Sequence, residues 1–70
     1  MKMWIARTTN GGIYLFKNQP FWKENVSLWC EELKMTSGET ILSAGAVLYP
    51  QMFPEVTYEN SPQQVEIKLI

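Results

Sequence analysis

The chain has 70 residues and a formal net charge of −1, and 46% of its residues are hydrophobic and 13% aromatic. A chain of this length forms one domain, here residues 1–70, whose core buries only ~60% of the surface that the unfolded chain exposes. The aromatic content favours a folded domain over disorder. The chain contains only six Lys and Arg residues, which argues against a nucleic-acid-binding surface.

Two residue types that enzymes use most are missing, because the sequence has no histidine and no aspartate. This excludes catalysis by Ser-His-Asp and Cys-His arrangements. A zinc site would need Cys30 and glutamates alone, which is not a credible ligand set. We therefore expect no enzyme activity, no cofactor and no metal, and we expect Cys30 to be a small buried core residue.

Cysteine usage and hydropathy indicate the compartment. Cys30 is the only cysteine, so no disulfide forms within the chain, as is typical of a reducing cytoplasm. No signal peptide is recognisable, and no apolar run approaches the ~20 residues of a membrane span. We expect a cytoplasmic protein that does not insert in a membrane.

A β-hairpin is predicted at the N-terminus. Residues 3–8 and 13–17 are strand-like runs, and Asn10-Gly11 between them is typical of a type I′ turn. With those two residues as the loop, Ile5 lies opposite Phe16. One face then carries Trp4, Ala6, Ile13 and Leu15, and the other carries Met3, Ile5, Tyr14 and Phe16. Since both faces are largely apolar, we expect the hairpin near the middle of a sheet.

The same register sets Arg7 opposite Tyr14. An arginine beside an aromatic ring at this spacing predicts an exposed cation–π pair, which is usually structural.

The segment around residues 20–34 fits two structures. Its apolar side chains recur at helical spacing, in the order Trp22, Val26, Trp29 and Leu33. Residues 26–30 also alternate as a strand does. The pattern favours a helix, with an extra strand as the alternative.

The second half of the chain is mostly extended in prediction. Residues 45–49 indicate a third strand, and residues 50–53 a tight turn that tucks Met52 and Phe53 inward. Residues 55–59 are predicted to be extended, and residues 60–62 are predicted to form a turn.

Residues 65–69 alternate clearly, with Val65, Ile67 and Leu69 facing inward, and this predicts an edge strand beside the first strand. The expected fold is α+β and mostly β: one antiparallel sheet of about three to five strands, with a central hairpin and one helix or extra strand.

Both ends of the chain carry a resemblance. The start (residues 1–7, then 13–20) and the end (residues 52–62, then 65–67) resemble a group of small uncharacterised proteins encoded by bacteriophages and other mobile elements of gut bacteria. The resemblance covers about half of the chain and leaves residues 21–46 unmatched. The resemblance implies an origin in a phage or mobile element, and it implies no particular chemical activity. It also implies extended structure through the middle, so that helix and strand become equally expected there.

Five residues are candidates for a partner surface: Trp22, Trp29, Glu55, Tyr58 and Glu59. Tryptophan and tyrosine are enriched at interface hot spots. The alternative is that the tryptophans pack the core, and that Tyr58 and the glutamates belong to a solvated loop.

The expected function is that of a non-enzymatic protein-binding protein of phage or mobile-element origin, with an unknown protein partner. A specific form is an inhibitor of a host defence factor, which follows from the resemblance alone. A structural or assembly protein that self-associates, for instance as a homodimer, is the alternative.

Overall fold

The structure is a computed structural model that describes residues 1–68. In these residues the backbone forms two antiparallel sheets, with strand orders β6-β2-β1-β7 and β3-β4-β5, and no helix. The strands are β1 (Lys2–Arg7), β2 (Ile13–Phe16), β3 (Phe21–Lys23), β4 (Leu28–Lys34), β5 (Thr40–Ser43), β6 (Ala46–Leu48) and β7 (Gln63–Glu66). The prediction of a small, mostly β, antiparallel domain is confirmed. The prediction of a single sheet of about three to five strands is wrong, since the described residues form seven strands in two sheets.

No segment within residues 1–68 forms a helix of the length and apolar character needed to cross a membrane.

The N-terminal hairpin is present and central in its sheet, but its register differs by one residue from the predicted register. Trp4 lies opposite Phe16, and Ile5 lies opposite Leu15. A shift of one residue moves every side chain of a strand to the other face. The predicted faces are therefore wrong for β2, since Tyr14 and Phe16 share a face with Trp4 while Leu15 shares a face with Ile5.

The turn chemistry explains the shift. The Thr8 N–H donates to the Gly12 carbonyl at 2.8 Å, and the Gly11 N–H donates to the Thr8 carbonyl at 3.1 Å. The loop therefore comprises residues 9–11. Gly11 has a φ of 93°, and Asn10 is not among the residues with positive φ. This arrangement is a turn followed by a left-handed glycine, which is the usual form of the longer loop.

Replacing Gly11 with valine is expected to destabilise the chain by about 1 kcal/mol or more, because a β-branched residue resists positive φ. A Cβ atom at this position meets nothing within 4 Å, so the cost comes from the backbone alone. Gly11→Asn serves as the control and should cost less, since asparagine visits this region. Urea unfolding checks both variants, and equal midpoints for the two would contradict the assigned turn.

The central hairpin carries a separate core cluster on each face, as its two apolar faces predict. The first cluster contains buried Ile5, Ile13 and Val56, with Leu15, Leu48, Phe53 and Val65 packed against them. The second contains buried Ala6, Phe16 and Trp29, with Trp4, Tyr14, Trp22 and Tyr58 packed against them. The molecule measures 38 × 38 × 17 Å, so it is a flat plate with thin cores on both sides of one sheet.

The helix expected around residues 20–34 is absent. The alternative of an extra strand is correct, and the segment contains two strands, β3 and β4. β3 and β4 form a hairpin in which Trp22 lies directly opposite Trp29. The loop between them ends at Ser27, which has a φ of 54°. Val26 lies in this loop and is 50% exposed, so it does not belong to an apolar stripe.

Two predicted strands of the second half are found. The third strand is β6, which pairs with β2. The C-terminal strand is β7, which pairs with β1 at the edge of the sheet. β7 begins and ends earlier than predicted. Val65 and Ile67 are half-buried as expected, and Leu69 lies outside the described residues.

The segment before β7 is not extended as predicted. The Val56 N–H donates to the Phe53 carbonyl at 2.9 Å, and the Ser61 N–H donates to the Tyr58 carbonyl at 3.3 Å, so two successive turns replace the strand. Phe53 packs against the first core cluster as expected. Met52 is exposed, so the prediction that it points inward is wrong.

Candidate partner-binding surface

Three aromatic rings from separate parts of the chain meet on one face of the molecule. The ring centroids of Trp22 and Trp29 are 5.4 Å apart, and those of Trp22 and Tyr58 are 4.9 Å apart, both with edge-to-face geometry. The Trp29 and Tyr58 centroids are 6.3 Å apart. Trp29 is buried, whereas Trp22 and Tyr58 are half-buried. The structure thus brings together three of the five residues proposed from the sequence.

Trp29 is a core residue. Its ring belongs to the second core cluster, and its Nε1–H donates to the Arg7 carbonyl oxygen at 3.0 Å. A buried indole whose N–H is satisfied by the backbone is a packing residue. The accessible part of the aromatic cluster is therefore formed by Trp22 and Tyr58.

Tyr58 is held in place by a closed turn. The Thr57 N–H donates to Asn60 Oδ1 at 2.8 Å, and the Asn60 N–H donates back to Thr57 Oγ1 at 3.2 Å. The Asn60 side chain also donates to the Glu55 carbonyl at 2.9 Å. Asn and Thr side chains that bond nearby backbone in this way stabilise turns. The turn therefore presents Tyr58 to the tryptophans in a fixed position.

Arg7 anchors the whole segment that carries Tyr58. Its guanidinium donates to five backbone carbonyls: Val56 at 2.6 Å, Gly11 at 2.7 Å, Met52 at 3.0 Å, Phe53 at 3.1 Å and Pro50 at 3.2 Å. The Arg7 backbone N–H donates to Ser61 Oγ at 2.9 Å. A planar guanidinium has five N–H donors in a fixed fork, so this set of carbonyls uses its full capacity.

The predicted cation–π pair between Arg7 and Tyr14 does not form. In the observed register Tyr14 pairs with Ala6 and Arg7 pairs with Ile13, which places the two side chains on opposite faces. Arg7 is instead half-buried and turned toward the backbone of residues 50–56.

Glu55 and Glu59, the two glutamates proposed from the sequence, are exposed in the segment that carries Tyr58. Glu59 follows Tyr58 and is exposed. Glu24, which was not predicted from the sequence, accepts a hydrogen bond from Trp22 Nε1–H. Glu55 is also exposed, and it lines a separate polar pocket of about 350 Å³ with Asn60. We call Trp22, Tyr58, Glu24 and Glu59 the aromatic–acidic surface.

The remaining candidates for chemistry are structural. Cys30 is buried in β4, as expected. Glu31 is also buried, and its carboxylate accepts hydrogen bonds from the Asn18 N–H at 2.9 Å and from the Lys17 N–H at 3.4 Å. It thereby fixes the connection between β2 and β3. Within residues 1–68, no three His, Cys, Asp or Glu side chains are grouped to hold a metal ion.

Sequence reasoning missed a second surface, along β6. An apolar groove of about 490 Å³ is lined by Val47, Leu48, Tyr49, Pro50 and Met52. One signal was available, since residues 40–54 contain no charged side chain. Arg7 was missed as an anchor because its five carbonyl partners come from a loop 43 or more residues away and from its own turn.

The comparisons with known proteins add no relative. The chain matches no protein-family model, and it matches neither a curated protein nor a solved structure.

Proposed function

We propose that the chain is a non-enzymatic protein-binding protein and that its aromatic–acidic surface contacts the partner. The observation that supports this most is the position of Trp22 and Tyr58, which stay half-buried at the surface while packed against the buried Trp29. Aromatic side chains held rigidly by their neighbours lose little conformational entropy when a partner covers them.

The charge of this surface defines the kind of partner. Glu24 is exposed and accepts a hydrogen bond from Trp22 Nε1–H, and Glu55 and Glu59 are exposed in the same segment as Tyr58. Carboxylates next to aromatic faces attract Lys and Arg side chains, through both ion pairing and cation–π contact. The partner on this proposal is therefore a protein with a basic contact patch.

The absence of catalytic residue types supports a binding role. The sequence lacks histidine and aspartate, and Cys30 is buried. A nucleic-acid partner is disfavoured because the single arginine is engaged by backbone carbonyls and the lysines are few.

The origin in a bacteriophage or mobile element belongs to the same proposal and is supported by the resemblance of the two ends of the chain. Action in the cytoplasm and inhibition of a host defence factor are its more specific forms. In such a role a small domain works by covering a surface of the host protein.

The test is recovery of a partner from a host-cell lysate with the tagged chain, quantified by mass spectrometry. The double variant Glu24→Lys/Glu59→Lys reverses the charge of the aromatic–acidic surface and is expected to lower recovery about tenfold or more, since like charges facing each other oppose binding. Both side chains are exposed, so the fold should be unaffected.

The matched control is Glu32→Lys/Glu39→Lys, which makes the same change of charge at exposed positions in β4 and in the turn before β5. It should recover as much partner as the wild type. Equal losses for the two double variants would show that net charge matters and would refute this surface as the contact.

A further inference from the structure

The β6 edge of the four-stranded sheet is exposed and apolar. Among residues 1–68, β6 pairs with β2 on one side only, so its other side is an open edge. Val47 is 75% exposed and Tyr49 is 77% exposed, and both line the apolar groove with Pro50 and Met52. Open edges of this kind attract another strand, and most proteins protect them.

The opposite edge of the same sheet is protected in the usual way. β7 carries the polar residues Gln63, Gln64 and Glu66. Glu66 also forms an ion pair with the Met1 amino group at 3.1 Å. β6, in contrast, lies within residues 40–54, which contain no charge. Charged side chains, which protect the β7 edge, are thus missing from β6, where Val47 is highly exposed.

An uncharged edge can face a second copy of itself. A twofold axis sets identical residues opposite each other, so any charge near the axis would repel its own copy. No such charge is present in residues 40–54. A basic or acidic partner, in contrast, would find nothing to pair with along β6.

The small core of the chain also favours association with a second copy. Its core is small and is divided between two faces of one sheet, and the single cysteine permits no internal disulfide. Oligomerisation is one of the ways in which chains of this size supplement a small core, and disulfides are another. Val47 lies opposite Tyr14, which packs against the second core cluster, so covering Val47 would extend that cluster.

We propose that the open edge of β6 joins two copies of the chain. β6 pairs in antiparallel orientation with β6 of the second copy about a twofold axis at Val47, so that Val47 faces its own copy and Tyr49 of each copy lies opposite Gly45 of the other. Pro50 has no N–H to donate, so strand pairing ends there and the contact closes as a dimer. This interface is separate from the aromatic–acidic surface, which stays free to bind a different protein.

The test is the mass of the untagged chain by sedimentation equilibrium, from low micromolar to submillimolar concentration. We expect a concentration-dependent approach to twice the monomer mass of 8.1 kDa. Val47→Lys should raise the dimer dissociation constant about tenfold or more, since two ammonium groups would meet near the axis. Val47→Thr keeps the β-branched shape, and it should raise the constant in the same direction if the lysine variant does not fold.

Leu42→Lys is the matched control, because Leu42 is an exposed apolar residue of β5, an edge strand of the other sheet. It should leave the dissociation constant unchanged. A monomer at every concentration would overturn the proposal, even if the chain bound a foreign peptide along β6. So would a dimer that Leu42→Lys dissociates and Val47→Lys does not, and so would open-ended assembly.

Discussion

Replacing Arg7 with methionine should cost about 3–5 kcal/mol of unfolding free energy, because charged hydrogen bonds to five carbonyls are lost and several of those carbonyls are left without a partner. A 70-residue chain has about 4–10 kcal/mol in total, so the variant should be largely or wholly unfolded at moderate temperature. Urea unfolding followed by tryptophan fluorescence measures the change.

The Arg7→Lys variant keeps the positive charge but changes the donor geometry, so it separates the contributions of the two to stability. An ammonium group has three donors on a flexible stem and cannot reproduce the fork of the guanidinium, so this variant should fold and lie between the wild type and Arg7→Met. Lys17→Met removes an exposed cation and is the control for charge alone. If Arg7→Met were no less stable than Lys17→Met, the carbonyl contacts would have no structural role.

Gly45→Ala is expected to cost about 2–4 kcal/mol, from positive φ together with overpacking. Gly45 has a φ of 80°, and a Cβ atom there would lie 2.7 Å from the Leu15 carbonyl oxygen and 2.7 Å from Phe16 Cε1. Phe16 is fully buried and cannot move aside. Gly45 is the point where the chain crosses from β5 to β6, so its substitution should also loosen the β6 edge.

Gly38→Ala is the matched control for Gly45→Ala. Gly38 has a similar φ of 92°, and a Cβ atom there would meet nothing within 4 Å. It should therefore cost only the backbone term of about 1 kcal/mol. Melting temperatures measured by circular dichroism compare the two variants, and equal losses would contradict the close packing of Gly45 on β2.

The local parts of the fold could be predicted from the sequence. The pattern around Asn10-Gly11 located the central hairpin, and the runs near residues 45–49 and 65–69 located β6 and β7. The turn type was less well determined. Asn-Gly fits both a two-residue loop and the observed loop over residues 9–11, and the choice between them shifts β2 by one residue.

The middle of the chain shows why spacing alone misleads. Trp22 and Trp29 are seven positions apart, which places them on one side of a helix. A hairpin with a four-residue loop also sets them face to face, as the structure does. Only Val26 distinguishes the two structures, since it would be buried in a helical stripe and is exposed in the loop.

The sequence proposed candidate residues by their type and contained no information on their mutual positions. Trp22, Trp29 and Tyr58 meet as a cluster, which residue type alone could not show. Arg7 ties the segment before β7, which carries Tyr58, to the sheet. Contacts between residues so distant in sequence leave no periodic signal, so neither Arg7 nor Glu24 was selected.

The hydrogen exchange of the Arg7 Nε–H, observed by NMR, tests most directly whether Arg7 holds the aromatic–acidic surface in place. Arg7 is the only arginine in the sequence, so its side-chain signal needs no further assignment. The Nε–H donates to the Val56 carbonyl at 2.6 Å in a partly buried position. We predict exchange much slower than that of a free arginine side chain, with a nuclear Overhauser contact to the segment of residues 52–56. Exchange as fast as in free arginine, with no such contact, would contradict the account.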